Sequence, residues 1–211
     1  MHSRATRKFR DRRQSKIKGM LILASASPRR AELLRSAEIK FRVHPAEITE
    51  ELMANESPRS FVLRLAEEKA ATVAGREASG LCILAADTVV VVDEHVLGKP
   101  ADADDAKRML RLLSGRTHEV MTGVCLRGQN PDGRAFHDLR LESTEVCFEP
   151  LSDREIDDYA ATGEPLDKAG AYAIQGRASR WISSIRGDYC NVVGLPVSLV
   201  YRMLREHGIS D

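Results

Sequence analysis

Leu81-Cys82-Ile83-Leu84-Ala85-Ala86-Asp87-Thr88-Val89-Val90-Val91-Val92 is a run of apolar and small residues broken by one acid. The run is too rich in β-branched residues for a helix, and it suits a strand buried on both faces. Working outward, helix signals flank it. Ser57-Pro58 places an N-cap and a first-turn proline ahead of a helix that ends near Gly75, and Asp102 caps a second helix that Gly115 closes. Ser27-Pro28 opens a helix towards Ala37 after a short apolar strand, Met20–Ala24. Asp93-Glu94-His95 and the stretch Gly98-Lys99-Pro100 read as turns. His118–Leu126 and Phe136–Phe148 alternate as antiparallel strands around Asn130-Pro131-Asp132-Gly133. Ser152 with Glu155 forms a capping box for a helix to about Thr162, Glu164–Gly194 is glycine-rich and irregular, and Pro196–His207 is a closing amphipathic helix. Strands alternating with helices, without repeats or linkers, predict one α/β domain.

Composition narrows the class. The 211 residues, 43% of them hydrophobic, suffice for one core but not comfortably for two. The net charge of +1 argues against a polyanion-binding surface over the whole molecule, yet residues 1–19 hold eight bases and one acid, leaving 24 bases against 30 acids in the rest. The domain is therefore expected over 20–211. The leader, 1–19, is read as a solvated disordered tail or an upstream start, with a nucleic-acid arm as the alternative. Its apolar continuation is only five residues, Met20–Ala24, where an export signal needs roughly 7–15, and no stretch approaches the ~18 of a membrane span. Cys82, Cys125, Cys147 and Cys190 lie far apart, which fits neither a zinc site nor a disulfide scaffold and points to a reducing, cytoplasmic setting.

Four features resist a purely structural reading. Asp87 cannot remain ionised in an apolar strand without a cation, a metal or several donors. It is a strand-end residue capping a turn, a metal ligand, or a general base where a strand ends and a pocket opens. Lys69 lies near the middle of an apolar arc of about 140° at 100° per residue, shared with Phe61, Val62, Leu65, Ala66, Thr72 and Val73. Either it snorkels to the surface, or its ammonium enters a pocket to meet phosphate or a carboxylate such as Asp87. Ser25-Ala26-Ser27-Pro28-Arg29-Arg30 sets hydroxyls, free helix N–H groups and two guanidinium groups together, an anion site by geometry, although many helices simply begin this way. Lys99 is either surface charge or another cation at the mouth of the Asp87 strand.

No Walker loop, nucleophile elbow or histidine pair with zinc spacing is present. One buried acid with Arg29, Arg30, Lys69 and Lys99 suits a polyphosphate with Mg²⁺ or Mn²⁺.

Those segments, together with Leu65-Ala66-Glu67-Glu68-Lys69-Ala70, Leu113-Ser114-Gly115-Arg116-Thr117-His118, the stretch Glu164–Gly176 and Gly187-Asp188-Tyr189 through Gly194-Leu195-Pro196, resemble the Maf proteins from about residue 20 to 207. These are nucleoside triphosphate pyrophosphatases also linked to septum formation. The resemblance implies a mixed, elongated, twisted sheet flanked by helices, and hydrolysis of a nucleotide to its monophosphate and pyrophosphate with a divalent metal. Asp87, Lys69 and Lys99 are the implied catalytic set. Ser25, Ser27, Arg29 and Arg30 are implied phosphate contacts, and Arg29, Thr88 and Gln175 look like the specificity set of the dTTP/UTP branch. Many members carry a glutamate after the second strand where Thr49 aligns here, with Glu47, Glu50 and Glu51 nearby, and Glu50 is taken first among these as the acid sharing the metal with Asp87. A homodimer is implied, and no membrane or specific nucleic-acid partner is expected. The rival readings are a pyrophosphatase for a purine or modified nucleotide such as 7-methyl-GTP, and a non-catalytic regulator of cell division or a nucleic-acid binder acting through 1–19.

Overall fold

The decisive run folds as one unbroken strand, β3 (Cys82–Val92), in a computed structural model that describes residues 21–77 and 80–209. The leader predicted over 1–19 lies outside the described residues. Asp87 sits in mid-strand, not at a strand end, which corrects both the turn-capping reading and the expectation that a strand terminates there.

Alternation along β3 assigns its side chains to two covered faces. Ile83, Ala85, Val89 and Val91 pack under α2 (Pro58–Ala74), which contributes Phe61, Val62, Leu65, Ala66, Ala70 and Val73. Leu84 and Ala86 face α1 (Pro28–Ser36) and the closing helix Val197–Glu206, whereas Val90 and Val92 face α3 (Ala103–Leu113) and α4 (Asp153–Ala160). Asp87 therefore belongs to the α2 face, and Thr88 to the opposite one. The helix starts follow the sequence signals: Ser27, Ser57 and Asp102 cap their helices, and Ser152 with Glu155 makes the capping box.

The sheet has seven strands. β1 (Leu21–Leu23) lies parallel between β2 (Phe41–Val43) and β3, while β5 (Thr117–Gln129), β6 (Ala135–Phe148) and β7 (Ile182–Arg186) follow antiparallel. It is mixed, as the resemblance implies. Residue His95, read as part of a turn, opens a further short strand, β4 (His95–Leu97).

Register creates the functional feature. One edge of β3 pairs with β5 continuously from Ile83 to Val91. The other edge is shared: β1 takes Cys82–Leu84, and β4 takes Val90–Val92. Residues 85–89 consequently have no strand partner on that edge, and the chain diverges into a cleft around Asp87. Among the described residues no helix is long and apolar enough to cross a membrane.

Candidate active site

The cleft measures about 630 Å³, and its lining draws on the connection between β1 and α1, on α2, on Glu50, on Gly98 and Lys99, and on segments near 170 and 193. Its charged lining comprises Arg29, Arg30, Lys69, Lys99 and Lys168 against Glu50, Asp87 and Asp167. Five cations face three carboxylates in a domain whose overall balance is acidic, so the positive charge is concentrated where the sheet splits. Such a cleft focuses an anionic ligand.

Lys69 answers the question posed by both anomalies. Its Nζ lies 2.5 Å from Asp87 Oδ1 and 2.5 Å from Glu50 Oε1. The ammonium is buried beneath α2 and does not snorkel. The environments of the two acids push them in opposite directions. Burial drives the Asp87 carboxyl above its usual range, and the Lys69 and Arg30 charges recover only part of that cost. Burial also acts on half-exposed Glu50, but the Lys69 hydrogen bond and the charges of Lys69, Lys99 and Arg30 outweigh it and hold Glu50 below the usual range. One acid is thus poised to take a proton and the other to stay ionised, a division of labour suited to acid–base chemistry.

Arg30 closes the other side of the split. Its Nε donates to Gly194 O at 2.7 Å, Nη1 to Ala86 O at 2.8 Å and to Ser25 Oγ at 3.3 Å, and Nη2 to Thr88 Oγ1 at 3.0 Å. Every partner is neutral. The Ala86 carbonyl is available because β3 lacks a strand neighbour there, so the guanidinium takes the place of a sheet bond. Desolvation lowers the Arg30 pKa, opposed by Asp87 and Glu50. The fork holds the cleft wall together and still presents a positive charge to it.

The remaining expected residues fall into place unequally. Ser25 is buried, with its Oγ accepting from the Ser27 amide as well as from Arg30, and Ser27 Oγ accepts from the Arg30 amide as the N-cap of α1. Thr88 Oγ1 lies 2.9 Å from Thr122 Oγ1 and 3.3 Å from Gly194 O, so its hydroxyl buttresses Arg30. Arg29 is tied across the cleft to Asp167, with Nη1 to Oδ2 at 2.9 Å and Nη2 to the backbone carbonyl at 3.2 Å. Lys168 holds the same carboxylate from its other oxygen at 2.5 Å. Lys99 and Gln175 are exposed on the lining. Sequence reasoning missed the Gly194 carbonyl and the Arg29–Asp167 latch. The glycines near 194 and the Asp167-Lys168 pair were signals, but their partners lie more than a hundred residues away in sequence.

Among the described residues no group of three or more His, Cys, Asp or Glu forms a metal cage. Asp87 and Glu50 nevertheless supply two hard oxygen donors around one ammonium, the donor set that suits a Mg²⁺-like ion arriving with phosphate oxygens of its own.

Comparison with known proteins places this arrangement in context. The family described as Maf-like protein matches residues 20–207. A dTTP/UTP pyrophosphatase of Koribacter versatilis is 55% identical over 90% of this chain and 95% of its own length. One from Citrifermentans bemidjiense is 52% identical over 89% and 95% respectively. Among solved structures, the Ham1 protein of Staphylococcus aureus matches with a TM-score of 0.49 at 12% identity, covering 89% of this chain and 98% of that one, a likeness too loose to bear on the site.

Proposed function

Because the chain belongs to the Maf-like protein family, we propose that it hydrolyses a nucleoside triphosphate, dTTP or UTP, to the monophosphate and pyrophosphate. The observation that carries the reading is the buried Lys69 ammonium held between Asp87 and Glu50 in a cleft with surplus positive charge.

The residues divide the work as follows. Asp87, buried on the α2 face and held by Lys69, accepts the proton of a water that attacks the α-phosphorus. Lys69 fixes the Asp87 carboxylate and, with Lys99 and Arg30, balances the charge that develops on the departing pyrophosphate. Ser25, Ser27 and the Arg29 amide in the first turn of α1 receive phosphate oxygens. Asp87 and Glu50 are the residues that would hold Mg²⁺ or Mn²⁺, which when bound offsets the charge of the polyphosphate. Gln175 reads the base from the exposed wall, Arg29 and its Asp167 partner border that region, and Thr88 acts there by placing Arg30.

Asp87→Asn tests the reading. The variant is expected to remain folded with activity reduced by at least about a hundredfold, the scale of lost acid–base help. Near-normal turnover of dTTP and UTP would remove Asp87 from the mechanism.

A further inference from the structure

The wall that carries Gln175 does not stand by itself. Tyr159, at the buried end of α4, donates its hydroxyl to Glu164 Oε1 at 2.9 Å and accepts the Ala173 amide at 3.3 Å. Its ring is packed edge-on against Trp181, with centroids 5.2 Å apart, so the hydroxyl is a fixed point. The Glu164 carboxylate lies directly over Gly176: a methyl built there would fall 1.9 Å from Oε1 and 2.7 Å from Cδ. The Gly176 amide in turn donates to Ala173 O at 3.0 Å, closing a turn whose exposed corner is Gln175. The carboxylate therefore presses on one end of the turn while the phenol ties down the other.

From this geometry we infer that Glu164, anchored by Tyr159, is a positioning residue for nucleobase discrimination: it sets the 173–176 turn and thereby the place of the Gln175 amide. The chemistry needs such support. An amide reads a base edge through paired hydrogen bonds, and these discriminate only when the amide is held in one place. Glu164 itself touches no reacting atom. Its buried phenol partner explains why an acceptor side chain is used here, since Tyr159 donates, and the position of the Glu164 carboxylate explains why residue 176 has no side chain. The inference rests on the base-reading role given to Gln175.

Steady-state hydrolysis of UTP, dTTP and CTP by the full chain and four variants tests both, with thermal melting alongside. Gln175→Ala is the reference. Glu164→Ala and Tyr159→Phe are expected to raise KM for UTP and dTTP and to reduce the UTP:CTP ratio of kcat/KM by about tenfold, the scale of one lost hydrogen bond, while kcat changes less than about twofold. Glu164→Gln keeps an acceptor for the phenol and is expected to retain the wild-type ratio. If Gln175→Ala shifts the ratio but Glu164→Ala and Tyr159→Phe leave it unchanged, or slow all three nucleotides equally, the positioning role is overturned. An unaltered ratio in Gln175→Ala overturns the base-reading role and the positioning role with it.

Discussion

Gly123 offers a severe test of how the catalytic pair is held. It stands on β5 directly opposite Asp87, and a Cβ there would lie 2.3 Å from Val62 O, 2.6 Å from Val62 C and 2.9 Å from Leu63 N. All three are backbone atoms of α2, so no rotamer change relieves the clash. Restoring ordinary contact at 3.4 Å requires the helix to retreat by about 1 Å. Overpacking of this kind costs roughly 1–3 kcal/mol, or about 2–12 °C in Tm for a chain of this size. The retreat also carries the Lys69 backbone away from Asp87, and about 1 Å of misplacement costs on the order of a hundredfold in rate. Lys69 is flexible enough to recover part of this, so a loss of about tenfold or more in kcat is expected of Gly123→Ala. Gly75→Ala is the control. That residue caps the same helix at φ −68°, and a methyl group there would meet only the Ala71 and Thr72 carbonyls at 3.7 Å, so the change should be neutral or stabilising by up to about 1 kcal/mol. Differential scanning calorimetry and initial rates of UTP hydrolysis report both effects. A Gly123→Ala enzyme with wild-type Tm and kcat would refute the claim that close approach of α2 to the sheet places Lys69.

Two groups give pH signatures of opposite sign. Asp87 is raised above its ordinary 3.8 in the folded chain, so the native state binds its proton more tightly than the unfolded state. The stability this confers is present below about pH 3.8 and is lost as pH rises through the folded value. Asp87→Asn, which leaves Lys69 its Glu50 partner, is accordingly expected to be at least as stable as the parent at pH 7, and a Tm difference that does not grow in favour of the variant with rising pH would contradict this. His118 behaves in the reverse manner. Buried against Phe148 and Tyr172, it is pushed from 6.5 down to about 4, so the unfolded state takes up its proton first and about 3 kcal/mol is lost as pH falls from 6.5 towards 4. In urea titrations over that window His118→Phe should lose about one proton of pH dependence; an unchanged slope would exclude His118 as its source.

The sequence made the centre of the site more legible than its edges, for a physical reason. Asp87 and Lys69 each break an apolar pattern that is local, and a buried charge announces its need for a partner. Ser27, Ser57, Asp102 and Ser152 were readable because capping is a short-range matter. β4 and β7 were not: β4 begins directly after the turn-forming Asp93-Glu94 and ahead of Gly98, and β7 lies in the irregular 164–194 stretch. The divided edge of β3 was invisible because it depends on which strands pair with it, not on its own residues. For the same reason Arg30 read simply as a phosphate contact, although its fork is engaged by the carbonyls of Ala86 and Gly194. The isolated Gly123 within β5 was a usable signal of close approach.

Hydrolysis of dTTP or UTP in ¹⁸O-enriched water, followed by ³¹P NMR and mass spectrometry of the products, tests the central claim most directly. Attack on the α-phosphorus beside Asp87 is expected to place the label in the nucleoside monophosphate and leave the pyrophosphate unlabelled. Label in the pyrophosphate, or orthophosphate as the first product, would contradict it.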